Sequence, residues 1–204
     1  AASQKEQLLH YYVYDREGNL YRATDYASGK TYRMSYDFLD RLMRVRDEKG
    51  NAYQYTYDAN NNMIRLRHEA DGTVHTIGYT YDKDSRETKT TLGKVTRETA
   101  YDAWGRVKAQ DWKNDGSQIF HVSYEYPASG KNIIGLPTKI VNGGVATEYT
   151  YDANGNITSV TENKKKVSYV YDGLNRLGRE NNELLNKTIT YYYDEGGNLR
   201  EERE

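Results

Sequence analysis

The stretch Tyr149-Thr150-Tyr151-Asp152-Ala153-Asn154-Gly155-Asn156-Ile157 decides how this chain folds. Tyr149 and Tyr151 stand two residues apart, the period of a β-strand, so both rings lie on one strand face. Tyrosine favours strands because its large flat ring suits a pleated, half-buried surface. Asp152 ends the strand: aspartate opens a type I turn, where its carboxylate accepts a hydrogen bond from the backbone two residues on. Gly155 supplies a positive φ. A type I turn followed by a left-handed residue is a three-residue hairpin loop with a bulge. Ile157 starts the return strand.

Working outward, the same dipeptide recurs at Tyr14-Asp15, Tyr36-Asp37, Tyr57-Asp58, Tyr81-Asp82, Tyr101-Asp102, Tyr171-Asp172 and Tyr193-Asp194. The spacing is 20 to 24 residues apart from one interval of 50. That interval hides a degenerate copy, Tyr124-Glu125-Tyr126-Pro127, whose Tyr126 lies 25 residues from the key tyrosine on either side. The fourth residue after the key tyrosine is Gly18, Asp40, Asn61, Ser85, Gly105, Gly130, Gly155, Asn175 or Gly197, and the sixth is most often aliphatic, as in Leu20, Leu42, Val107, Ile157, Leu177 and Leu199. The shared pattern is Tyr-x-Tyr-Asp-x-x-Gly-Asn/Arg-Leu. A second turn lies midway in each copy, for example Glu48 to Asn51, Asp71-Gly72, Asn114 to Gly116, Asn142 to Gly144 and Asn163 to Lys166. Each copy therefore reads strand, turn, strand, turn.

The expectation is an all-β chain: a long antiparallel meander of about nine two-stranded repeats, roughly 17 or 18 strands. Residues 1–10 form a lead-in, with a short helical turn over Gln4–Leu9, and residues 11–204 form one repeat domain cut off at its C-terminus, inside the strand that Leu199 begins. Leu, Ile, Val and Phe make only 17 % of the chain, against 22 tyrosines, which is too few aliphatics to fill the middle of a large barrel. Open twisted sheets rarely exceed about ten strands without curling. The sheet is therefore expected to curl into an open spiral or partial shell without a packed core. In such a shell the tyrosine rings pack while their hydroxyls stay in water.

Several function classes are excluded by composition. Lys and Arg number 29 against 30 Asp and Glu, so the net charge of −1 gives no reason to expect a nucleic-acid partner. No cysteine is present, hence no thiolate metal site or thiol nucleophile, and no apolar run is long enough for a membrane helix. No glycine-rich phosphate loop, catalytic triad order or cofactor motif appears, and no catalytic, cofactor or metal residues are assigned. The Tyr-Asp carboxylates are explained by turn chemistry, and asparagine should replace them at little cost. His68 and His75 flank Asp71-Gly72 and should face each other across a hairpin without enough further ligands for a metal. Trp104 and Trp112 are the candidate aromatic platform for a glycan. Lys164 to Lys166 read as a solvated turn tip.

Tyr14-Asp15-Arg16-Glu17-Gly18-Asn19-Leu20, Tyr101-Asp102-Ala103-Trp104-Gly105-Arg106-Val107, Tyr151 to Ile157 and Tyr193-Asp194-Glu195-Gly196-Gly197-Asn198-Leu199 resemble the repeats of the Rhs, or YD-repeat, family. Nine copies in phase cover nearly the whole chain. The resemblance implies a spiralling β shell. In bacterial polymorphic toxins and insecticidal toxin complexes such a shell encloses a C-terminal toxin. In wall-associated proteins and teneurins it is displayed outside the cell, and the repeats are associated with carbohydrate binding. It also implies a secreted or surface location, with the remaining repeats and a C-terminal domain of a parent protein as partners, glycans as further ligands, no membrane insertion, and self-association through exposed strand edges. Neither Pro127 nor Pro137 follows an aspartate, so the family's shell-closing, self-cleaving signature is missing from these residues, and the chain reads as a fragment.

Overall fold

A computed structural model describes residues 8–127 and 135–204. These residues hold eighteen strands, all in one antiparallel sheet, and no helix. Two compact units make up the chain, Ala1–Glu98 with Lys113–Ser117 and Thr99–Trp112 with Gln118–Glu204. The strands are β1 (His10–Tyr14), β2 (Leu20–Asp25), β3 (Lys30–Tyr36), β4 (Leu42–Asp47), β5 (Ala52–Tyr57), β6 (Met63–Ala70), β7 (Thr73–Tyr81), β8 (Glu87–Leu92), β9 (Val95–Tyr101), β10 (Val107–Asn114), β11 (Ser117–Glu125), β12 (Lys139–Asn142), β13 (Val145–Tyr151), β14 (Ile157–Glu162), β15 (Lys165–Tyr171), β16 (Leu177–Asn182), β17 (Lys187–Tyr193) and β18 (Leu199–Arg203). Within the first unit β1 to β9 pair in chain order, and within the second β11 to β18 do the same. This is the meander expected from the repeat.

Two kinds of hairpin alternate. At the Tyr-Asp end the ladder shifts register just before the key tyrosine, so that Tyr14 faces Leu20, Tyr36 faces Leu42, Tyr151 faces Ile157 and Tyr193 faces Leu199. The fourth residue is left-handed as its type demands, whether glycine (Gly155, φ 86°) or not (Asp40, φ 58°; Asn61, φ 68°; Asn175, φ 60°). At the other end two-residue turns are common. Asp71-Gly72, Asp115-Gly116, Gly143-Gly144 and Asn163-Lys164 all have both φ angles positive, the turn whose twist matches the flanking strands.

There is no packed core. Among the described residues only Ala52, Thr99, Val122 and Ser159 are buried, and no large side chain is fully enclosed. The alternation of the strands instead creates one half-buried face carrying the tyrosines. In β13 Tyr149 and Tyr151 are half-buried while Thr150 between them is exposed, and in β15 Tyr169 and Tyr171 flank an exposed Val170. Tyr149 and Tyr151 stack at 6.5 Å, the pairing their spacing requires. Gly130 and its neighbours in the degenerate copy lie outside the described residues, as do Gln4 to Gln7 of the expected helical turn; Leu8 and Leu9 lie in no helix.

Gly155 gives a direct test of the turn. A Cβ added there meets nothing closer than Leu136 Cδ1 at 3.6 Å, so the site has room and only the backbone conformation resists. Gly155→Val is expected to cost about 1–2 kcal/mol and Gly155→Asn much less, since asparagine tolerates the left-handed region. Urea unfolding of both variants checks the order.

Candidate functional site

Every motif residue converges on the row of Tyr-Asp turns. In the turn at Asp152, one carboxylate oxygen accepts the N–H groups of Asn154 and Asn156, each at 2.9 Å. The second oxygen accepts the Asn156 side-chain amide, also at 2.9 Å. The same clamp recurs with an arginine in place of the asparagine. At Asp102, one oxygen takes the N–H groups of Trp104 and Arg106, and the other takes Arg106 Nε at 2.6 Å. Asp37 with Arg41, Asp82 with Arg86 and Asp172 with Arg176 repeat it. This explains the Asn/Arg position of the motif: both side chains offer an N–H at the height of the second oxygen.

The clamp lowers the pKa of these aspartates. Hydrogen bonding by the Asn156 side chain, with backbone N–H groups, holds the Asp152 carboxyl below its ordinary range. For Asp102, burial pushes the carboxyl up, and the N–H groups of Arg106 and Trp104 with the Arg106 guanidinium outweigh it, leaving a lowered pKa. Asp37, Asp58, Asp82, Asp172 and Asp194 are lowered in the same way.

Six of the turns are also locked to the copy before them through the hydroxyl of the key tyrosine. The ladder between β2 and β3 begins at Arg22 facing Arg33, which leaves the Leu20 carbonyl unpaired on that side. The Tyr36 hydroxyl donates to it at 3.0 Å. Tyr57 donates likewise to Leu42, Tyr81 to Met63, Tyr126 to Val107, Tyr151 to Pro137 and Tyr193 to Leu177, at 2.7–2.9 Å. Burial raises the pKa of Tyr36, Tyr81, Tyr126 and Tyr151. The expected wet hydroxyl tips are therefore wrong for these six tyrosines, whose hydroxyls reach a backbone acceptor that the bulge has stranded, whereas the Tyr14 and Tyr171 hydroxyls make no such bond among the described residues. Arginines of the clamp add a second link. Arg41 lies 4.8 Å over Tyr57, Arg106 4.3 Å over Tyr126 and Arg176 4.6 Å over Tyr193, each on the tyrosine of the following copy. Sequence reading missed both links and also a further copy of the clamp at a midway turn, where Asp47 accepts the N–H and side-chain amide of Asn51. Its signal was in plain view as Asp47-Glu48-Lys49-Gly50-Asn51.

The remaining candidates do not assemble into a catalytic centre. The carboxylates of Asp37, Asp58, Asp82, Asp102, Asp152, Asp172 and Asp194 engage both oxygens within their own turns, whereas Asp15 uses only one among the described residues, its Asn19 amide reaching Asp40 instead. His68 faces His75 across the hairpin, as expected, but its ring stacks on Tyr53 at 4.3 Å. No group of three or more metal-ligating side chains occurs among the described residues. Trp104 is exposed at a turn, whereas Trp112 packs edge-on against Phe120 at 4.9 Å on β10. Trp104 sits in the turn and Trp112 lies well into β10, about 16 Å along the strand from Val107 at roughly 3.3 Å per residue, so the two indoles do not form one platform.

A sheet of two-stranded repeats whose motif groups close their own turns and join one copy to the next has the makings of a structural scaffold of the β-shell class. The chain belongs to the teneurin YD-shell family, whose model matches residues 77–204, and residues 39–74 match the RHS repeat. Among solved structures it is similar to a chain in the crystal structure of TcdB2-TccC3-Cdc42, with 16 % identity over 93 % of this chain and a TM-score of 0.60, which shows a shared fold. A chain of the Photorhabdus luminescens Tc holotoxin pore is 15 % identical over 95 % of this chain, with a TM-score of 0.44. This chain spans 12 % and 14 % of the length of those two. Comparison with curated proteins finds no match.

Three outcomes follow from the geometry. Tyr151→Phe keeps the ring and strands the Pro137 carbonyl, so it should cost about 1 kcal/mol, and Tyr151→Ala roughly 2 kcal/mol or more. Hydrogen exchange should show the loss confined to the hairpins on either side. Asp102→Asn should harm the fold more than Asp152→Asn, because an amide opposite Arg106 sets N–H against N–H, whereas Asn156 can turn its own amide to accept. Finally, the lowered aspartates stabilise the fold fully above their ordinary value of 3.8 and lose that contribution as pH falls through the lower folded values. The raised tyrosines act oppositely, contributing below their ordinary 10.0 and failing as pH rises through the folded values. A melting-temperature profile flat between these limits and falling at both ends is expected.

Proposed function

We propose that this chain is a wall segment of a secreted or surface-displayed bacterial shell that encloses or presents another domain of its parent protein, and that it is not an enzyme. The observation that carries the reading is the copy-to-copy interlock, which employs the motif's polar groups in holding the wall. The two edges fit the same scheme. β1 is a tyrosine strand whose Tyr14 hydroxyl has no carbonyl acceptor among the described residues, and β18 begins with Leu199, whose carbonyl accepts no tyrosine there. These are the two halves of the recurring contact, so further repeats can continue the wall at either side. Exposed Tyr11, Tyr12 and Tyr14 make the β1 edge the more adhesive one.

Protease challenge of the complete parent polypeptide tests enclosure. The enclosed domain should resist cleavage and lose its protection when Tyr151→Ala opens the wall; a domain cleaved equally in both forms would rule enclosure out. For the isolated chain, light scattering should show association that grows with concentration, and strictly monomeric behaviour would count against edge pairing. A glycan array should give no specific hit; one that depended on Trp104 would favour an adhesion module instead.

A further inference from the structure

The face of the sheet opposite the key tyrosines carries an unusual concentration of one side chain between β2 and β6. Arg22 sits directly opposite Arg33, and Arg33 directly opposite Arg46. Arg44 follows two residues along from Arg46 and so shares its face, and across Gln54 it leads to Arg67. Arg65 stands beside Arg67 on the same face, opposite Thr56. Six guanidinium groups thus share one surface of five strands within the first unit.

Little on that surface neutralises them. Glu69 pairs with Arg67 at 2.7 Å and is the one carboxylate the registers place in these rows. Among the described residues Arg22, Arg33, Arg44 and Arg46 form no ion pair. The Nε atoms of Arg22 and Arg44 are buried with no hydrogen-bond acceptor. Arg33 and Arg46 line a hollow of about 230 Å³ with Thr31, Asp47 and Glu48. Like charges directly opposite on neighbouring strands oppose pairing. The fold does not require them: the position held by Arg22, Arg44 and Arg65, two residues into the return strand, is Ser159 in β14 and Glu201 in β18.

We propose that this arginine face is a docking surface for an acidic protein segment, whose carboxylates fill the unanswered guanidinium forks. Arginine in place of lysine at all six positions matches the paired oxygens of a carboxylate. Single-stranded nucleic acid fits less well, because binding it also needs several aromatic rings for the bases, and this face offers one at its β1 border, Tyr11 beside Arg22, and none between β2 and β6. The pull of Arg67, and after it of Arg44 and Arg46, already lowers the Glu69 carboxyl, so the surface favours ionised carboxylates.

A labelled oligo-glutamate peptide titrated against the whole chain, read by fluorescence anisotropy, tests this. Binding should appear at low salt and weaken toward an ionic strength of about 0.15 M. Arg33→Gln/Arg46→Gln should weaken it about tenfold or more without lowering the melting temperature, since a repulsion is removed. Arg33→Lys/Arg46→Lys, which keeps the charge and removes the fork, should give an intermediate loss. Lys165→Gln/Lys166→Gln, on β15, should change nothing. The proposal is overturned if the wild type does not bind the peptide, if the two lysine changes weaken it as much as the two glutamine changes at Arg33 and Arg46, or if the Arg-to-Lys pair binds as well as wild type. It is overturned in favour of nucleic acid if oligothymidylate of equal charge binds more tightly.

Discussion

The hydroxyl of the key tyrosine, reaching back to a carbonyl of the preceding copy, is the contact on which the rest of the sheet depends. The Tyr-Asp hairpins at Tyr14, Tyr36, Tyr57, Tyr81, Tyr151 and Tyr171 each contain a bulge, and the ladder to the next hairpin stops two residues short of it. A main-chain acceptor is thereby left without a partner where water is partly excluded, which is costly if left so. Phenylalanine has the same ring and the same strand preference but no donor. The need for that donor gives a physical reason for tyrosine and not phenylalanine at Tyr36, Tyr57, Tyr81, Tyr126, Tyr151 and Tyr193. At those positions the residue type reflects a hydrogen-bonding requirement as much as a packing one.

The aspartate clamp supplies the complementary half. By drawing the residue four places on toward its second oxygen, it sets the side chain of that residue beside the next copy. Where the residue is arginine, its plane covers the next tyrosine while its Nε holds the aspartate, as with Arg106 between Asp102 and Tyr126. Where it is asparagine, the amide bridges to the next turn instead, as Asn156 does to Asn175 at 3.0 Å. Two chemically different residues thus complete one junction, which is how the repeat tolerates divergence without losing its lock.

Strand order, turn positions and the left-handed residues were legible in the sequence because each depends on local rules: period two in Tyr149 and Tyr151, the turn preference of Asp152, the freedom of Gly155. Even Asp40, Ser85 and Asn175 fell at the expected left-handed place, since the register of the repeat outweighs residue type there. What stayed hidden depends on distance across strands. The fate of the Tyr151 hydroxyl follows from where a neighbouring ladder ends, and its acceptor, Pro137, lies 14 residues away in sequence. The arginine face was invisible for another reason. Net charge adds up both faces of every strand, and a total of −1 conceals six cations gathered on one side of β2 to β6.

The scarcity of buried residues has a thermal consequence. The heat-capacity change of unfolding comes mainly from apolar surface newly exposed to water. A sheet in which, among the described residues, only Ala52 and Val122 are buried apolar residues has little such surface to release. Its stability curve is correspondingly shallow: hydrogen bonds and half-buried rings hold it over a wide range of temperature, with neither a pronounced optimum nor strong weakening in the cold.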